Sequence, residues 1–404
     1  MKEEFKEVSA NIFNEKYGNM IKRENKLYDD STSLRSEFER DYTRILYSTA
    51  YRRLRHKTQV FFSPENDHIC TRIEHVAYVE SISYTIAKYL GLNTELTKAI
   101  ATGHDLGHSP FGHQGEKILS KISERDLGKK FWHEQNGLNL VDNIELLEDR
   151  EQNEQNMNLT YAVRDGIISH CGEVDQNSIR PREEYIDLKD YTRPNEYSPY
   201  TWEGCVVKIA DKISYIGRDI EDAIKLEIID KNNLDELYNI LNLSKEEKIN
   251  NNLIINMLVS DLCKNSSLEN GLCFSNDAVG MMDKIKLFNY KNIYYNERMK
   301  PANRYFELVI NELYNKLYEL YDGNNTLEKL QEARKIYPKF VGVFTKWIQK
   351  YWNLNERARS NLNLKNKIIF DINKKEDYCS AIIYYISGMT DKFAMDAYEE
   401  IIRF

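Results

Sequence analysis

The chain has 404 residues, 41% hydrophobic and 30% charged, with a formal net charge of -8 and a pI of about 5.7. That length buries a sizeable core as one large domain or two smaller ones. The acidic balance argues against nonspecific duplex binding over the whole surface, and no apolar run approaches the roughly 20 residues of a membrane span. Pro at 7 and Gly at 17 disfavour an all-β fold and permit long helices.

The periodicity predicts a helix from Cys70 to Leu90, with Ile73, Ala77, Ile82, Ile86, Ala87 and Leu90 near helical spacing and Gly91 as its stop. A second helix is expected from about Thr94 to His104, capped by Thr94 or its neighbour Asn93. His104 and Asp105 then fall where that helix ends, before a loop broken by Gly and Pro. The helical pattern resumes from Gln114 to Ile122. Further helices are expected over Glu134–Leu147 and Leu159–His170, with the polar stretch Glu148–Asn158 as a surface loop between them. From Trp202 to about Lys225 the stripe Val206, Val207, Ile209, Ile213, Ile216 and Ile220 predicts a long amphipathic helix, on which Asp211, Tyr215 and Asp219 recur at i, i+4 and i+8. Packing helices are expected near Leu234–Leu241, Leu253–Lys264, Phe306–Tyr321, Leu327–Ile336 and Ser380–Tyr398, with a turn at Asp322–Asn325. No fixed-period repeat and no linker rich in Pro, Gly or Ser marks a boundary. The expected organisation is an N-terminal segment (1–45), a core that carries every histidine (46–225) and a C-terminal helical region (226–404) packed on it as one unit.

All eight histidines (His56, His68, His75, His104, His108, His113, His133 and His170) lie in the first half. Four metal-capable side chains, His75, His104, Asp105 and Asp211, sit on or beside predicted helices. The doublet is followed at once by His108, His113 and Glu116. Imidazole and carboxylate donors without cysteine suit a divalent ion such as Mn, Fe, Co, Zn or Mg. An ion with open coordination positions lowers the pKa of a bound water and polarises a phosphoryl oxygen, so hydrolysis is the natural reaction class. Glu116, three residues after His113, is its neighbour on one helix face and can orient or polarise the imidazole. The six cysteines are scattered with no CxxC pair and the N-terminus lacks an apolar signal core, so reduced thiols in a cytoplasm are expected.

These blocks, in this order, resemble the HD-domain phosphohydrolases, and closely the deoxyguanosinetriphosphate triphosphohydrolase (dGTPase) group and its sterile-alpha-motif-linked dNTP triphosphohydrolase relatives. The matching stretches are Arg52-Arg53-Leu54 with Lys57-Thr58-Gln59-Val60-Phe61, Thr71-Arg72-Ile73-Glu74-His75, Gly103 to Glu116, and Phe131-Trp132-His133-Glu134-Gln135. They continue with Ala210-Asp211-Lys212-Ile213-Ser214-Tyr215, Asp219-Ile220-Glu221-Asp222-Ala223 and Ser387-Gly388-Met389-Thr390-Asp391. The match covers Thr43 to Lys225 and one C-terminal patch.

The resemblance implies an all-α HD-domain helical bundle with additional C-terminal packing helices, and metal-dependent hydrolysis of dGTP or a broader dNTP set to deoxynucleoside and inorganic triphosphate. It makes His75, His104, Asp105 and Asp211 the metal ligands and His113, supported by Glu116, the general acid for the leaving 5'-oxygen. Arg72, His108, His133 and Lys212 are then triphosphate contacts, which a highly charged ligand requires. Gln59 and Asp219 read the 3'-hydroxyl. Tyr215 packs on the sugar, or alternatively serves the helix core. Arg52, Arg53, Arg55 and Lys57 read equally as a solvated basic run or as a phosphate or allosteric site. By the same analogy the protein is a homo-oligomer, hexamer or tetramer, with activator dNTP sites between subunits. Single-stranded DNA binding, found in some relatives, has no support in the acidic balance. Two rival readings are an HD phosphohydrolase acting on another nucleotide phosphate ester and a noncatalytic nucleotide sensor.

Overall fold

Helices supply nearly all regular structure, as the scarcity of Pro and Gly implies. The computed structural model describes every residue except 1, 26–33, 63–65, 67, 172–176, 245, 248, 355 and 404, and the side chains of 231 and 232. Three helices lead in: α1 (Tyr17–Met20), α2 (Glu37–Tyr47) and α3 (Thr49–Arg53). The central bundle follows as α4 (Arg72–Leu90), α5 (Thr94–Gly103), α6 (Gly112–Leu127), α7 (His133–Asn139), α8 (Tyr161–Ser169) and α9 (Trp202–Lys225). Around it run α10 (Lys231–Leu241), α11 (Asn251–Asn265), α12 (Asn276–Asn289), α13 (Lys300–Tyr318), α14 (Thr326–Ala333), α15 (Val341–Ile348), α16 (Glu356–Asn361), α17 (Lys375–Ser387) and α18 (Asp391–Ile402).

Local chemistry sets the ends of the helices that matter most. Glu74 accepts hydrogen bonds from the Thr71 amide at 2.8 Å and its hydroxyl at 3.0 Å, fixing the start of α4 one residue before Arg72. Gly91, at φ 84°, closes the same helix. Asn93, rather than Thr94, caps α5 by accepting from the amides of Glu95 and Leu96. Helix α4 packs against both α5 and α9, and α5 and α9 both contact α8. Three long elements thus converge on the end of α5 where His104 sits.

The expected helix over Glu134–Leu147 is interrupted. Helix α7 passes into a wide turn over Leu140–Ile144, and the last two residues of the expected helix join the stretch read as a surface loop in an antiparallel hairpin, β1 (Leu146–Glu148) with β2 (Glu154–Asn156). Its strands have three residues each, too few to show alternation. The expected single helix over Ser380–Tyr398 is two: α17 ends at Ser387 and Thr390 caps α18 through the Phe393 amide. A smaller pair, β3 (Ser178–Ile179) with β4 (Leu272–Cys273), joins the two halves of the chain.

The break between α17 and α18 grips the histidine-bearing half. Asp391 accepts from the backbone amides of Thr58 at 2.8 Å and Phe111 at 2.9 Å. Lys57, buried rather than solvated, donates its ammonium to the carbonyls of His108 and Ser387. Asn136 donates to the Gly107 carbonyl at 2.7 Å and to the Ser387 hydroxyl at 3.2 Å. The C-terminal motif therefore braces the loop that follows His104-Asp105.

Candidate active site

His104 caps the C-terminal end of α5 and donates its Nδ1–H to the Ala101 carbonyl at 2.6 Å. Its Nε2 is thereby left with a free lone pair, and that atom is buried without a hydrogen-bond partner. Around it stand Asp105 Oδ1 at 3.6 Å and Asp211 Oδ1 at 3.8 Å. His75, in the first turns of α4, brings Nε2 to 2.9 Å from Asp211 Oδ1 and 3.8 Å from Asp105 Oδ2. Its other nitrogen faces the Ser214 hydroxyl at 3.4 Å. Two imidazoles and two carboxylates from three helices meet in one buried place, and ligand atoms of His75, His104 and Asp211 all lie within 4.8 Å of each other. An orphaned buried nitrogen facing two carboxylates is costly by itself, and this nitrogen and oxygen donor set fits a divalent ion.

The electrostatics follow from that crowding. Burial opposes ionisation of Asp105, yet His108, Arg72 and His104 hold its carboxyl well below the usual range. Asp211 is pulled down to about 2 against its own burial, chiefly by His75. For His75, burial is outweighed by the hydrogen bond to Asp211 and the charges of both carboxylates, so its pKa rises. Both acids are therefore ionised at neutral pH.

Beside this cluster lies a second one. The loop after the doublet is held tightly: a Cβ on Gly107 would meet the His133 carbonyl at 2.1 Å and one on Gly115 the Pro110 carbonyl at 1.9 Å. Phe111 adopts φ 62° and Gly112 φ 58°, a left-handed turn that launches α6. This approach stacks the rings of His108 and His133 with centroids 3.8 Å apart. Glu116 serves two histidines, with His133 Nδ1 3.1 Å from both its oxygens and His113 Nδ1 at 3.4 Å. Ligand atoms of His108, His113, Glu116 and His133 all lie within 4.8 Å of one another. The His113 side chain is 63% exposed, in contrast to its buried neighbours. Burial works against a charge on His133, but Glu134 and Glu116 raise its pKa well above the ordinary value. Burial drives that of His108 well below it.

The remaining expected contacts are placed unevenly. Arg72 is buried and binds Asp105 Oδ2 at 2.8 Å, with its Nε unpartnered. Gln59 holds an unpartnered buried Oε1. Lys212 and Tyr215 are half-buried on α9. Asp219, two turns beyond Asp211, accepts from the Tyr294 hydroxyl at 2.5 Å, and burial pushes its pKa up to about 7. Arg53 pairs with Glu145 at 2.6 Å, while Arg52 and Arg55 are exposed. No motif in the sequence assigns a role to His170, which lies edge-on to His104 with centroids 5.0 Å apart. Tyr294, whose partner lies 75 residues away, carries no sequence signal either.

A helical bundle that gathers His75, His104-Asp105 and Asp211 into one buried cluster is that of an HD-domain protein, and the HD domain profile matches residues 72–216. The finer assignment comes from whole-chain relatives. The deoxyguanosinetriphosphate triphosphohydrolase-like protein of Caldanaerobacter subterraneus is 31% identical over 374 residues, covering 92% of this chain and 87% of that protein. The like-named protein of Rickettsia bellii is 32% identical over 394 residues (94% and 96%), and that of Rickettsia rickettsii 31% (94% and 95%). The chain belongs to the dGTPase-like family of HD-domain phosphohydrolases.

Proposed function

We propose that the protein hydrolyses deoxynucleoside triphosphates, dGTP or a broader set, to deoxynucleoside and inorganic triphosphate. The observation that carries this reading is the orphaned His104 nitrogen facing Asp105 and Asp211, one residue cluster away from His108, His113 and His133. His75, His104, Asp105 and Asp211 would hold a divalent ion, Mn, Mg, Fe, Co or Zn. Bound there, such an ion supplies Lewis acidity toward phosphoryl oxygens and activation of the attacking water.

The protein's own groups divide the rest. His113 is the open histidine of its cluster, and it donates a proton to the departing 5'-oxygen, with Glu116 3.4 Å from its Nδ1 orienting the ring. His108 and His133 face the triphosphate with Lys212 and Arg72, the last also holding Asp105 in place. Gln59 and Asp219 bind the 3'-hydroxyl. The Gln59 oxygen lacks a partner, and a carboxyl with a pKa of about 7 can donate or accept there. Tyr215, one turn from both Asp211 and Asp219, packs on the sugar.

Chromatography of products from a dNTP panel with Mn or Mg tests the reading. Deoxynucleoside plus intact triphosphate is expected, and stepwise orthophosphate release or inert dNTPs would sink it. His113→Ala should lower kcat by about 10²- to 10⁴-fold, the usual contribution of a positioned acid.

A further inference from the structure

His170 has no part in the reading above, yet its setting is that of a metal ligand. It follows α8 as His104 follows α5. Each donates its Nδ1–H to the carbonyl three residues earlier, Ile167 at 2.7 Å and Ala101 at 2.6 Å. That bond fixes the tautomer and leaves Nε2 as the nitrogen with a free lone pair. His133 is oriented in a related way, because its Nδ1 lies 3.1 Å from both oxygens of Glu116. A carboxylate behind an imidazole is a common support for a metal-binding ring. The third member is Cys171, whose thiol interacts with the His133 ring. One ligand atom from each of His133, His170 and Cys171 lies within 4.8 Å of the other two. His133 and Cys171 stand outside the set His75, His104, Asp105 and Asp211, and His170 adjoins it, with one ligand atom within 4.8 Å of those of His104 and Asp105. The backbone that carries two of them is pinned as well: Lys208 on α9 donates to the carbonyls of Ser169 at 3.2 Å and Cys171 at 2.8 Å.

We propose that His133, His170 and Cys171 form a second cation site beside the first, one that takes a thiophilic divalent ion such as zinc through two imidazole nitrogens and one thiolate. Nitrogen and sulfur donors in this ratio select such ions over magnesium or calcium. Binding forms the sulfur–metal bond as the Cys171 thiol proton leaves to solvent, and the Nε2 lone pair of His133 binds only after that ring has shed its second proton. Metal uptake therefore releases protons. Three protein ligands leave a further coordination position for water or an anionic group. An ion here would also withdraw His133 from a triphosphate and slow turnover. That consequence rests on the reading above, whereas the binding does not.

Cobalt(II) titration of the full chain, followed by absorption spectroscopy and by counting bound cobalt after gel filtration, tests the site independently of any activity. The first cluster contains no sulfur donor, so a thiolate-to-cobalt charge-transfer band in the near ultraviolet reports the second. The band is expected in the wild-type protein. Cys171→Ser should abolish it with loss of one equivalent of cobalt, and His170→Gln, a polar replacement at the same place, should also lose that equivalent. Absence of the band in the wild type, or a band and cobalt count unchanged in either variant, overturns the proposal. Inert dNTPs alongside a thiolate band would reject the proposed substrate and leave the second site standing.

Discussion

Asp219 shows how a single buried side chain ties stability to pH. Burial raises its pKa to about 7 despite the Tyr294 hydroxyl, which stabilises the charged form. The folded chain keeps this proton where the unfolded chain, with an ordinary carboxyl near 3.8, has lost it. Between those values the native state binds more protons, so the stability Asp219 contributes is present below about pH 4 and is lost as pH rises to about 7. A shift of that size corresponds to on the order of 4 kcal/mol. Asp219→Asn should flatten the dependence of Tm on pH across this window. Thermal melts at pH 5 and pH 7 measure it, and an unchanged slope in the variant would refute the assignment. The same variant should raise KM for a deoxynucleotide if Asp219 reads the 3'-hydroxyl.

At the scale of elements, the loop after His104-Asp105 depends on a hydrogen-bonding partner 280 residues away. Phe111 is held at φ 62°, a conformation that costs a non-glycine residue about 1 kcal/mol or more. The Asp391 carboxylate stabilises it by accepting from the Phe111 amide while also accepting from that of Thr58, next to Gln59. An asparagine has one carbonyl oxygen and would set its NH2 against one of those amides. Asp391→Asn should cost about 1–3 kcal/mol of stability. It should also lower kcat by roughly 10- to 100-fold through misplaced His108 and His113, without changing the number of bound metal ions. Ion loss in this variant would show that Asp391 supports the first cluster and not the loop. The sequence carried Asp391 and Lys57 as motif residues, but their purpose was hidden, because a carboxylate serving two remote amides leaves no periodic trace. Tyr294 and the hairpin at Leu146–Asn156 are silent in the sequence for the same reason, because both depend on contacts rather than on apolar alternation. By contrast, the helices bearing His75, His104 and Asp211 were legible. The helices of His104 and Asp211 combine an apolar stripe with a local start signal, whereas that of His75 shows itself mainly by its capping box and its Gly91 stop, its buried face running through Val76 and Val79 and not through the expected Ala77, which is exposed.

Over the whole molecule, we propose that the boundary expected at residue 225 falls inside one continuous unit, with the later half packed on the earlier. Residues from the later half complete the earlier one in several places. Asn289 donates to the Ile216 carbonyl at 3.2 Å, Tyr314 to Asp126 at 2.6 Å and Tyr351 to the Ile144 carbonyl at 2.6 Å. Phe306 stacks on Phe111 with centroids 4.4 Å apart. Cutting the chain after Lys225 would strip these partners from α6 and α9 together with the Asp391 and Ser387 brace, and would expose the buried apolar faces they cover. Because those faces are continuous with the core around His75 and His104, partial folding gains too little burial to offset chain entropy. A fragment of residues 1–225 should therefore bind a hydrophobic dye, show weak near-ultraviolet dichroism and melt without a cooperative transition, while the full chain melts as a unit. A cooperative melt of the fragment near the full-chain Tm, with divalent metal still bound, would establish an autonomous catalytic domain instead.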